Sequence, residues 1–167
     1  IPYLKELGVN SIELMPAYEY EECEWDQTTA ETKAQIEYQV EHIDEDLALD
    51  AAPQKAKRLN CWGYKEAFYF APKASYSASG NPCEEFRRMV RMFHMNGIEI
   101  IMQFYFPDHI KQGYILEIIK YWVLTYQIDG VHLKGSRLPM TLIATEPLLA
   151  NTKILGENFY LHEIYPG

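Results

Sequence analysis

An alternation constrains this chain more than any other feature. Four short runs rich in apolar and β-branched residues, at 9–15, 98–106, 131–134 and 153–157, each follow a stretch with helical spacing. Such a pattern builds a parallel sheet, because parallel neighbours need a crossover between them and a helix supplies it. The fold class it implies is α/β. Residues 1–7 read as the end of a helix that Gly8 stops. Ile36, Val40, Ile43 and Leu47 give a helical stripe over 31–49 on an acidic background. Asn81-Pro82 is a helix start; Phe86, Met89, Val90 and Phe93 line one face of that helix, and Asn96-Gly97 ends it. The run IEIIMQFYF (98–106) is nearly continuous in apolar residues and predicts a strand buried on both faces. Ile115, Ile119, Trp122 and Tyr126 mark a second helix, and Asp129-Gly130 turns the chain into the third strand. Residues 139–150 allow another helix, perturbed by Pro147. The organisation is half of an eight-stranded barrel or a small open sheet, with no repeat beyond the alternation.

A chain of 167 residues that is 48% hydrophobic and 14% aromatic suits one domain with a packed core. No apolar run approaches the roughly 18 residues of a membrane span. The opening IPYLKELG lacks a start methionine and a basic leader, and reads as a segment of a longer chain. Charge is uneven. The whole carries −9, and Glu19 to Asp46 hold eleven acids against Lys33 alone, so the remainder is close to neutral. An acidic chain without a basic stripe argues against nucleic acid and against anionic membranes as partners. Cys23, Cys61 and Cys83 are odd in number and form no CxxC, which points to free thiols in a cytoplasmic protein. The five histidines lack metal-ligand spacing, and neither a glycine-rich phosphate loop nor a nucleophile elbow occurs. Neither a cofactor nor a metal is expected.

Five stretches taken together resemble a known family. PYLKELGVNSIELMPAYEY (2–20) looks like a helix and second barrel strand of family 13 glycoside hydrolases, the α-amylase superfamily. NCWGYKEAFYFAPKASY (60–76) is similar to the Asn-Tyr-Trp-Gly-Tyr segment of isoamylases and glycogen debranching enzymes. EEFRRMVRMFHMNGIEIIMQFYFPDH (84–109) resembles the third-strand region, YWVLTYQIDGVHL (121–133) the fourth, and EPLLANTKILGEN (146–158) the approach to the fifth. The resemblance implies that residues 1–167 are part of a (β/α)8 TIM barrel, roughly strands two to five, with an acidic insertion at about 21–58.

It also implies a site. Retaining glycosidases place two carboxyl groups about 5–5.5 Å apart, one a nucleophile and one an acid/base. In this family the nucleophilic aspartate closes a Gly-Phe-Arg-Phe-Asp segment on the fourth strand; here that stretch runs Gly130, Val131, His132, Leu133, Lys134. An ammonium cannot form a glycosyl ester, and its charge opposes an oxocarbenium-like transition state. The arginine that orients the nucleophile becomes His132. On the third strand, Gln103, Pro107 and Asp108 stand where the resemblance implies an aspartate and an Asn-His pair, and only a one-residue shift brings His109 into line. Glu157 falls at the general-acid position of the fifth strand; the alternative is a surface glutamate at a strand end. Tyr64 matches the residue that stacks on sugar, although Trp62 and Tyr64 read equally well as core packing. Lys134 also reads as a structural lysine paired with a neighbouring acid such as Glu157. His132 on an apolar strand reads as a satisfied core histidine rather than a ligand.

Three functions remain open on these residues. One is an isoamylase-like protein that binds α-glucan without cleaving it, alone or beside an active isoamylase-type subunit. Another is an active debranching hydrolase. The third is a barrel segment of structural value only.

Overall fold

The structure, a computed structural model, describes residues 1–24 and 58–157. The acidic stripe read at 31–49 lies outside the described residues. Two compact units divide the chain, residues 1–20 with 62–167, and residues 21–61. In the second unit, β3 (Cys23–Glu24) pairs antiparallel with β4 (Arg58–Leu59).

The first unit is an α/β assembly around a parallel sheet. Its strands are β1 (Ser11–Leu14), β6 (Glu99–Tyr105), β7 (Gly130–Lys134) and β8 (Lys153–Gly156), adjacent in that order and all parallel. The predicted alternation is therefore present. The helices are α1 (Pro2–Glu6), α2 (Pro82–His94), α3 (Gln112–Tyr126) and the short α4 (Met140–Thr145), which breaks before a 3-10 turn at Pro147–Leu149. Asn81 caps α2 by accepting the Glu84 N–H at 3.3 Å, with Pro82 in the first turn where no N–H is needed. Gly97, at φ +71°, lets the chain leave α2 in the left-handed conformation and enter β6.

One face of the sheet is the core. Ile100, Met102, Phe104, Val131 and Leu133 are fully buried there. Trp122 of α3 stands edge-on to Phe104 and to Phe86 of α2, and its indole N–H donates to the Tyr69 carbonyl at 2.6 Å. That bond satisfies the donor of a fully buried indole. The expectation that β6 is buried on both faces does not hold: burial alternates along it, and Ile101, Gln103 and Tyr105 are half-exposed. The reason is the register, which sets Gln103 beside His132 and Tyr105 beside Lys134. This face is polar, and the helices pack on the other one.

Like β3 and β4, two strands of the first unit have no counterpart in the sequence pattern. β2 (Tyr18–Glu19) pairs antiparallel, across a bulge, with β5 (Phe68–Pro72). Tyr18, fully buried, ties this pair to the parallel sheet: its hydroxyl accepts the Tyr105 N–H at 3.1 Å and donates to the Gly63 carbonyl at 3.2 Å. Desolvation raises its phenol well above the ordinary value, so it stays a neutral donor.

Candidate functional site

Chemistry-bearing side chains gather on the polar face near the C-terminal ends of the parallel strands, where α/β folds keep their sites. Period-two geometry puts them there. Glu13 alternates with the inward Ile12 and Leu14 of β1, Gln103 with Met102 and Phe104, and His132 and Lys134 flank Leu133.

Two sets of contacts result. In the first, the Tyr64 hydroxyl donates to Gln103 Oε1 at 2.5 Å, and Gln103 Nε2 donates to Glu13 Oε1 at 2.6 Å. The same Glu13 oxygen lies 2.5 Å from His132 Nδ1. In the second, Lys134 Nζ is 2.5 Å from Glu157 Oε1 and 5.7 Å from the centre of the Tyr64 ring. Lys134 thus touches both the acid on the neighbouring strand end and the aromatic ring.

The electrostatics follow from these contacts. The bond to Glu157 comes first in raising the Lys134 ammonium above its usual value, with partial desolvation working the other way. The Glu157 carboxyl is held below the usual carboxylate range by the Lys134 bond and charge. At Glu13, desolvation pushes the carboxyl up, and the bonds from His132 and Gln103 with the charges of His132 and Lys134 outweigh it, so its carboxyl is also lowered. Both carboxyl groups are anions at neutral pH.

Trp62 and Tyr64 are not core packing. Trp62 is 63% exposed and Tyr64 36%, with their rings stacked at 6.3 Å and 30°. Gly63 between them has φ +70°, and a Cβ there would come within 2.7 Å of the Tyr20 ring and 2.8 Å of Pro16. The loop reaches the sheet mouth because glycine allows that approach. His132 is not a core histidine either: it sits half-buried on the polar face, bonded to a carboxylate. The Lys134–Glu157 pairing read from the sequence is present.

Asp108 and His109 have other partners. Asp108 accepts from the Ser136 hydroxyl, and His109 pairs with Glu66 at 3.1 Å, both in exposed loops. Pro107 begins the loop that carries them. Glu13 is the residue the sequence did not mark as functional. The signal was there: a lone acid between Ile12 and Leu14 in a strand must face the side opposite the core. Among the described residues, no cluster of three or more histidine, cysteine or acidic side chains could hold a metal ion, and no helix is long and apolar enough to cross a membrane.

Similar proteins are known. Isoamylase SU1 of Zea mays is 33% identical over 119 residues, which take in 68% of this chain and 12% of that protein. The glycogen operon protein GlgX homolog of Haemophilus influenzae is 33% identical over 214 aligned residues, covering 94% of this chain and 28% of its own. The isoamylase of Pseudomonas amyloderamosa is 29% identical over 114 residues, 66% of this chain and 12% of its own. This chain therefore spans between about an eighth and under a third of the relatives it matches. No family model matches it.

Proposed function

We propose that this chain, which belongs to the isoamylase and glycogen-debranching type of glycoside hydrolase family 13, holds α-glucan in glycogen or starch metabolism without cleaving it. Residues 1–167 form roughly strands two to five of an α-amylase-type barrel in this reading, and residues 21–58 are an acidic insertion in it. The open polar face of the four parallel strands is then the inner wall of the barrel. The three free thiols, Cys23, Cys61 and Cys83, fit a reducing cytoplasm.

The observation that carries the proposal is the Lys134–Glu157 pair at 2.5 Å. Retaining glycoside hydrolysis needs an anionic nucleophile and, beside it, a carboxylic acid that stays protonated near neutral pH. Lys134 supplies no nucleophile. It also holds the Glu157 carboxyl below the usual carboxylate range, the opposite of the raised value that a general acid needs to keep its proton near neutral pH. Gln103 and His132 engage Glu13 instead of orienting a reacting carboxylate. What remains suited to a sugar is the exposed pair Trp62 and Tyr64, since aromatic rings pack against the C–H faces of glucose. An active isoamylase-type subunit as partner would supply the cleavage this segment lacks.

The test is done on the full-length protein. Native gels containing glycogen should retard it, while branched glucan incubated with it should release no reducing ends above the blank. Release of reducing ends that Glu157→Gln abolishes would overturn the proposal. Absence of both binding and cleavage would leave a structural segment only, and would overturn it as well.

A further inference from the structure

We infer that Glu13 is a positioning residue: through the Gln103 amide it holds the Tyr64 ring in the attitude in which it meets glucan. The inference rests on the proposal above that Trp62 and Tyr64 contact α-glucan. It concerns a strand, β1, that the sequence marks only as scaffold.

The geometry is directional. An ionised carboxylate only accepts hydrogen bonds, whereas a glutamine amide has one accepting end and one donating end. Glu13 Oε1 takes the Gln103 Nε2–H at 2.6 Å. That commits the amide group, and its carbonyl is then turned to Tyr64, whose hydroxyl donates to it at 2.5 Å. Glu13 therefore sets the polarity of the whole chain, and Tyr64 has its one donor engaged before any ligand arrives. The bond from His132 Nδ1 at 2.5 Å to the same oxygen fixes the carboxylate from a third strand. Three parallel strands thus converge on one atom, and the chain of bonds leads out to a ring on a loop.

Tyr64 needs that anchor. It follows Gly63 and is more than a third exposed, with Trp62 stacked beside it and Tyr105 at 6.0 Å and 45°. Neither neighbour holds its hydroxyl. A ring already fixed in one rotamer binds without first losing that freedom, a gain of the size of one immobilised side chain. Glu13 touches no ligand in this scheme and acts only through Gln103.

The experiment measures maltoheptaose affinity of the full-length protein by calorimetry. Glu13→Met removes the acceptor at nearly constant volume and should weaken binding about fivefold, the effect of one hydrogen bond. Glu13→Gln keeps a carbonyl acceptor and should recover most of that loss. In a Tyr64→Phe background, where no hydroxyl remains to be held, Glu13→Met should have no further effect. A fivefold loss that persists in that background, or no loss in either, overturns the inference. The 1H–15N resonances of the Gln103 side-chain amide give a readout without glucan: they should move in Glu13→Met, and unmoved resonances overturn the relay. If the unaltered protein fails to bind maltoheptaose while those resonances do move, the glucan reading fails and the relay stands.

Discussion

Lys73 offers the sharpest test of how the β2–β5 pair is held. Its side chain is 3% exposed, and its ammonium donates to Glu19 Oε1 at 2.9 Å and to the Tyr20 carbonyl at 2.7 Å, 4.4 Å from the Tyr20 ring centre. Its backbone N–H also donates to the Ala17 carbonyl at 2.8 Å, so Lys73 laces β2 to the end of β5. Removing one partner of a buried pair costs about 3–5 kcal/mol, because the other charge is left without compensation. Here the cost falls at the lower end, since Glu19 is 28% exposed and keeps the Ala74 N–H at 2.6 Å. Lys73→Met, which preserves the apolar stem, should therefore destabilise the β2–β5 pair by about 3 kcal/mol. That is a loss of roughly 150-fold in local protection. Native-state hydrogen exchange on peptides spanning Tyr18–Glu19 and Phe68–Pro72 reads it directly. A change below about fivefold would refute the view that this ion pair holds the two strands together. The pH dependence has a definite sign. Burial pushes the Glu19 carboxyl up, but the Ala74 N–H and Lys73 outweigh it, so its folded value is lowered. A lowered carboxylate contributes stability above its ordinary value of about 4.3 and loses it as pH falls through the folded value. Protection corrected for intrinsic exchange should accordingly decline at acid pH in the native sequence and decline less in Lys73→Met, where only the Ala74 N–H still favours the ionised Glu19.

Further outcomes follow from the same contacts. Lys134→Met should let the Glu157 carboxyl rise toward the ordinary carboxylate value, visible by side-chain carbon NMR; an unchanged titration would remove Lys134 as its cause. The pair should persist from about pH 4.3, where the lowered acid still ionises, to about pH 10.4, beyond which the raised lysine begins to lose its proton. Lys134→Asp alone should restore no release of reducing ends, because Gln103 and His132 remain bonded to Glu13; cleavage by that single variant would show that the partner positions are dispensable. Gly63→Ala should destabilise by about 1–3 kcal/mol and weaken glucan binding, since the new Cβ meets the Tyr20 ring and Pro16 at a left-handed φ; an unchanged melting temperature would contradict the close approach.

The parallel sheet was legible because each of its elements carries a local signal. Asn81-Pro82 followed by an apolar stripe is a local helix start, and Ile115, Ile119, Trp122 and Tyr126 share a face by spacing alone. The antiparallel β2–β5 pair was not, because two residues at Tyr18–Glu19 have no period and their partner lies some fifty residues on. Such pairing is a tertiary fact, decided by Tyr18 entering the core between Tyr69 and Phe104. The polar face was legible only in part. IEIIMQFYF looks uniformly apolar, yet Gln103 and Tyr105 occupy alternate positions, and the wet face becomes visible only once Glu13, His132 and Lys134 are in register beside them. The residues at 134 and 157 are marked by the family resemblance, which sets them at strand ends. Glu13 could not be ranked until the strand order put β1 next to β6.

That register also explains how a cation can stand at the end of β7 without spoiling the site around it. Two carboxylates held close repel, and the proton one of them keeps is what a glycosidase uses as its acid. Under the proposed function, a lysine at 134 replaces such repulsion with attraction to Glu157, and the strand ends carry a bonded pair in place of a strained one. The same ammonium lies 5.7 Å from the Tyr64 ring centre, which ties that ring to the ion pair. Stabilising groups at a reacting centre commonly cost activity, because the strain they relieve is the strain the chemistry uses. Glu13 completes the exchange by giving Gln103 and His132 an acceptor of their own. In this arrangement the bonds run among the protein's own side chains, and under the proposed function the exposed rings of Trp62 and Tyr64 are what meets the sugar.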